Sequence, residues 1–193
     1  MLALSKRHQY IIGLLLVTLM AITRGHHFFT LQNLPSASWA IFFLAGFYLT
    51  GKSVFPLLLA EAALLDYIAI TWGGVSSYCV SPAYSLLLPA YGALWLAGHW
   101  YASHYQFSWR TLLPLTSSVI LATVICTVLS GGGFYFFSGR YAEPTFVEYT
   151  QRFSTYFPGY LTNMAFYVGL AAICHMIFVL TNRSGQMHQE NHS

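Results

Sequence analysis

Few side chains in this 193-residue sequence can do chemistry, and Cys79 is the foremost of them. It lies in the run Trp72-Gly73-Gly74-Val75-Ser76-Ser77-Tyr78-Cys79-Val80-Ser81-Pro82, with Tyr84 following on the opening turn of a helix. Pro82 suits a first helical position and Ser81 an N-cap, so the thiol stands just before a helix N-terminus. The positive end of that dipole favours thiolate, which makes Cys79 a candidate nucleophile or soft-metal ligand. An unreactive loop cysteine is the plain alternative. Cys126 and Cys174 fall inside apolar runs, where a thiol packs as a small hydrophobe. The three cysteines form no CxxC and no zinc pattern, and an odd number cannot all pair within the chain.

The carboxylates come next. Glu61 and Asp66 share one apolar run, where ionisable groups are costly and face the protein interior or a wet cavity. Five residues apart, they differ by roughly 140° around a helix, so a proton relay through both is awkward. Asp66 falls about one turn from the end of its helix, beside the loops. Glu61 falls near mid-depth and is expected to anchor a neighbouring helix. His26-His27 lies in the first of those loops and Arg152 shortly before the last apolar run. Adjacent histidines cannot both point one way, so at most one of them serves a site. His26 or His27 with Cys79 and Asp66 could nominally hold zinc, but nothing in the spacing demands it. His99, His104 and His175 read as interfacial or packing residues. The many Tyr and Phe around 134–160 could line a pocket for a flat organic ligand or form an interfacial belt.

Something must position these groups, and composition says that water is not the solvent around it. The chain is 56% hydrophobic, 18% aromatic and only 7% charged, with a mean hydropathy of +0.57. Soluble proteins carry about 25% charged residues. A soluble enzyme, a disordered chain and a nucleic-acid module are thereby excluded; a formal +3 is too small for phosphate binding by mass action. Apolar runs at about 9–23, 36–50, 53–71, 82–102, 110–130 and 157–181 predict an all-α integral membrane protein with six transmembrane helices in a single domain, 1–193. The connection 131–156, opening with Gly131-Gly132-Gly133, reads as the longest loop. Lys6, Arg7, Lys52, Arg110 and Arg183 fall on one side, and Arg24, Arg140 and Arg152 on the other. Five against three places both termini in the cytoplasm and the irregular loops outside. The five tryptophans fall near span ends, as interfacial indoles should. No cleavable signal is evident in the first run.

A small six-span chain whose outward loops converge on a pocket looks like the substrate-binding S-component of an energy-coupling-factor transporter. Within that group it resembles the BtuM family of bacterial cobalamin transporters, over essentially its whole length. The most specific segment is Tyr78-Cys79-Val80-Ser81-Pro82-Ala83-Tyr84, accompanied by Asp66, His27 and Arg152. The resemblance implies uptake of cobalamin or cobinamide across the inner membrane, the vitamin being bound substrate. It also implies that the Cys79 thiolate ligates the corrin cobalt, a soft donor suited to that metal. The lower base would be displaced to give base-off cobalamin, and cyanocobalamin would be decyanated with reduction of the cobalt. Asp66 and Tyr84 would then organise the surroundings of the cobalt, while His27 and Arg152 would hold the corrin or assist proton movement. There is no GxxxxGK[ST], so the chain has no ATP site of its own. Docking on a shared transmembrane subunit usually goes with small residues four apart on the first span. Here that row is Gly13, Val17 and Ala21, an imperfect version that favours action without an ATPase module. The competing expectations are an S-component for another vitamin, with Cys79 only packing, and a membrane-embedded thiol enzyme.

Overall fold

Apolar runs with no strand-like alternation fold here as helices. The computed structural model describes residues 4–24, 35–73 and 81–190, the last nine of these by backbone alone, and no strand occurs among them. The helices are α1 (Lys6–Arg24), α2 (Ser38–Tyr48), α3 (Val54–Trp72), α4 (Leu87–His104), α5 (Leu112–Cys126), α6 (Gly133–Phe137) and α7 (Phe146–Glu190). A 3₁₀ turn, Pro82–Leu86, leads into α4, and another, Trp109–Thr111, leads into α5. A π-helical turn, Thr127–Gly132, joins α5 to α6 without a break.

Among the described residues three helical runs are long and apolar enough to cross a membrane: Val54–Trp72, Trp109–Phe137 and Phe146–Thr181. Two of the remaining expected spans form helices of nearly full length, α1 and α4, but the end turns of α1 carry Lys6, Arg7 and Arg24, and the second half of α4 carries His99 and His104. The second expected span is the larger departure. Its helix has only 11 residues, roughly 16 Å and about half the hydrocarbon thickness. It is apolar all round because it lies at the centre of the fold, every residue from Ala40 to Phe47 being buried.

Among the described helices α2 and α4 pack most extensively, and their approach depends on two glycines. A Cβ on Gly98 would overlap the carbonyl oxygen of Phe43, and one on Gly46 would overlap that of Trp95. Small residues let membrane helices approach backbone to backbone. The Gly13, Val17, Ala21 row of α1 does nothing comparable; Val17 is exposed, and Gly13 only touches the end of the Leu49 side chain. Thr23 ties α1 to the start of α2, donating to the Leu19 carbonyl at 2.8 Å and accepting the Ala37 N–H at 3.2 Å. Trp39 and Trp95 pack against the core, and only Trp72, Trp100 and Trp109 are the exposed end-of-helix indoles expected.

The expected long loop 131–156 is mostly helix. Hydroxyls at Thr123, Thr127 and Ser130 each donate to the carbonyl four residues back, and the helix continues through a π turn to Phe137. Such back-bonding and π turns bend a helix without ending it. Helix α7 then begins at Phe146, eleven residues before the expected start of the last span, where Thr145 accepts the Glu148 N–H at 3.3 Å. Thr145-Phe146-Val147-Glu148 is a capping-box sequence whose signal lies in plain view.

Candidate functional site

Five helix ends converge on one side of the bundle. Arg24 is the last residue of α1, where a cation suits the helix dipole. Its Nε and Nη2 donate to Oδ1 and Oδ2 of Asp66 in α3, both at 2.7 Å, a bidentate pair. Its Nη1 donates to Ser38 Oγ at the start of α2 (2.9 Å) and to the Tyr91 hydroxyl of α4 (3.0 Å). Tyr84, from the 3₁₀ turn, donates its hydroxyl to Asp66 Oδ2 at 2.9 Å. The pair is largely sequestered, its side chains being 14% and 23% exposed. Beneath it Tyr91 stacks on Phe42 with ring centroids 4.3 Å apart, fixing the network to the central helix.

Arg24, Asp66, Tyr84 and Tyr91 form the polar wall of a 260 Å³ cavity. Ala69, Ile70, Leu87 and Phe134 supply its apolar wall, and Ser81 and Ser130 its hydroxyls. The Ser81 hydroxyl is buried and has no partner among the described residues. Ser81 holds the expected N-cap position with Pro82 first in the turn, but it caps through its carbonyl, which accepts the Tyr84 N–H, rather than through its side chain. The helix opened there begins as a five-residue 3₁₀ turn that runs on directly into α4.

Asp66 and Tyr84, which the sequence reading grouped only through the resemblance, are therefore brought together. Arg24 is the residue that reading missed, counted there only as a loop charge. A chain with five carboxylates and eight cations leaves a signal that could have found it: a carboxylate near a span end needs a cation at the same depth. Arg152 stands elsewhere, outside the cavity lining. It pairs with Glu148 one turn back on α7 at 3.0 Å, donates to the Tyr141 hydroxyl at 3.3 Å, and lies over the Tyr141 ring at 4.6 Å. His27 and Cys79 lie outside the described residues. Among the described residues no three His, Cys, Asp or Glu side chains gather as a metal site. The Oε2 of Glu61, expected to anchor a neighbouring helix, is buried and has no hydrogen-bond partner among the described residues. His175 does pack as expected, hydrogen-bonded to Tyr105 at 2.9 Å.

The ion pair uses Arg24 and Asp66 on each other, so the cavity offers phenol and serine hydroxyls rather than a free acid or base. Tyr84→Phe removes one hydrogen bond to a charged group and is expected to cost about 1.5–3 kcal/mol. Unfolding in detergent measures this, and an unchanged midpoint would show that the hydroxyl is hydrated in either case.

No protein-family model matches this chain, and no curated protein sequence matches it. Fold and site define a class: a protein all-helical in its described residues, three of those helical runs fit to cross a membrane, with a partly polar cavity walled at one end by a largely buried ion pair.

Proposed function

We propose that this chain binds cobalamin at the Arg24–Asp66 end and carries it across a bacterial inner membrane. The bundle is a six-span, S-component-like one with both termini cytoplasmic, as the five-to-three distribution of basic residues favours. One observation carries the reading: Asp66 and Tyr84 share a cavity with Ser81, two residues along the chain from Cys79. Asp66 on α3 and the turn that holds Ser81 and Tyr84, both marked by the resemblance, thus meet at one cavity. At 260 Å³ the cavity takes the substituents on one face of a corrin, not the macrocycle.

In this reading the Cys79 thiolate binds cobalt on the face from which the nucleotide base has left. Asp66, oriented by Arg24, and Tyr84 fix the polar surroundings. When cyanocobalamin is bound, cyanide leaves as the anion with its bonding pair. The electron that takes cobalt(III) to cobalt(II) comes from a small thiol in solution. Arg152, outside the cavity, meets the periphery of the corrin with Tyr135 and Tyr141. The cation is supplied to that cluster ready-made, paired with Glu148 and stacked on two phenols.

The test is the visible spectrum of the purified protein incubated with cyanocobalamin and glutathione. A thiolate–cobalt bond shifts the corrin bands, and Cys79→Ala should abolish the shift and the release of cyanide. An unshifted spectrum in the parent, or the same spectrum in the alanine variant, would defeat the reading. Growth of a cobalamin-dependent strain carrying this gene and no energy-coupling ATPase module should be sustained if transport needs no partner.

A further inference from the structure

A second cavity, of 420 Å³, opens at the other end of the bundle. Helix α4 connects the two: Tyr91 lines the first and Tyr101 the second, ten residues or about 15 Å along the axis. The second cavity lies between α2, the α4–α5 junction and α7, and its character changes with depth. Phe43, Leu44 and Val168 close its inner part with hydrocarbon, whereas Gln106, Ser108 and Thr111 stand at its mouth. Tyr105 and His175, on its wall, spend polarity on each other through the 2.9 Å hydrogen bond. An apolar occupant is therefore favoured inside and a polar one at the rim.

The rim also selects a charge. Arg110 sits between the lining residues Trp109 and Thr111, is exposed, and its guanidinium has no partner among the described residues. Trp109 and Trp100 are exposed by 83% and 48%, as indoles are at headgroup level. Basic pockets between membrane helices at this level hold anionic lipid headgroups. We propose that the cavity holds one acyl chain of an anionic phospholipid, whose phosphate rests on Arg110. The site is independent of the corrin reading, since no residue lines both cavities.

Native mass spectrometry of the detergent-purified full chain tests this with phosphatidylglycerol and phosphatidylcholine of matched acyl chains. One phosphatidylglycerol should remain bound, preferred about fivefold over phosphatidylcholine. Arg110→Gln, at an exposed position, should bring the two lipids to parity. Ala172→Phe, which fills the cavity from α7, should abolish retention of both. Equal retention of the two lipids by the parent, or unchanged selectivity in Arg110→Gln, overturns the proposal. A doubled protein mass with no lipid assigns the surface to a second copy and also overturns it. Should Ala172→Phe fail to fold, the Arg110→Gln selectivity decides alone.

Discussion

Asp66→Ala should destabilise the protein by about 3–5 kcal/mol, the cost of leaving a buried partner charge unpaired. Arg24 would keep only the Ser38 and Tyr91 oxygens, which are neutral, in a site where its side chain is 14% exposed. In a chain of this length the midpoint of thermal unfolding in detergent should fall on the order of 10 °C or more. Arg24→Met should cost a similar amount for the converse reason, since Asp66 would keep only the Tyr84 hydroxyl. The double variant Arg24→Met/Asp66→Leu should recover most of the loss. An ion pair's attraction largely offsets its desolvation, so a well-packed apolar pair of similar volume is often no worse. If both single variants melt with the parent, the pair is hydrated and the argument for a sequestered network fails. All three variants should lose ligand, because Arg24 and Asp66 line the 260 Å³ cavity and orient its Tyr84 and Tyr91 hydroxyls. Stability and binding should thus separate in the double variant, restored in the first and absent in the second.

Gly98→Ala presents two opposed effects whose sizes decide the sign. Alanine is the better helix former by about 1 kcal/mol. Against this, its methyl would overlap the Phe43 backbone carbonyl in α2, an obstacle with no rotamer to turn aside. Overpacking of this kind costs about 1–3 kcal/mol, and a backbone obstacle belongs at the upper end. The net loss should be roughly 1–2 kcal/mol, a fall of several degrees in the thermal midpoint. Gly169→Ala in α7 is the control, because nothing lies within 4 Å of its added Cβ. It should leave the midpoint unchanged or raise it. A Gly98 variant behaving like Gly169→Ala would show that α2 and α4 can separate freely.

The two glycines illustrate what the sequence did and did not disclose. Searching α1 for small residues found an imperfect row, while the working contact lay between α2 and α4, at Gly46 and Gly98. Spacing marks which residues share a face of one helix; it does not say which helix that face meets. The capping box at Thr145–Glu148 was readable, but the glycine run at 131–133 suggested a loop there. Back-bonding from Thr127 and Ser130 carried the helix through the π turn toward Phe137 instead.

What the sequence determined by itself was the solvent and the helices. Sparse charge and long apolar runs leave only helices, whose backbone bonds are satisfied within the segment, as spans in hydrocarbon. It also marked Asp66 as a carboxylate too costly to be idle. The tertiary structure alone decided Asp66's partner. Arg24 lies 42 residues away, at the end of another helix. Their meeting depends on the depth and rotation of α1 and α3 about the central α2, quantities set by packing between helices and not by the pattern within any one. The same packing decided that the apolar run at 36–50 forms an 11-residue helix buried at the centre of the fold.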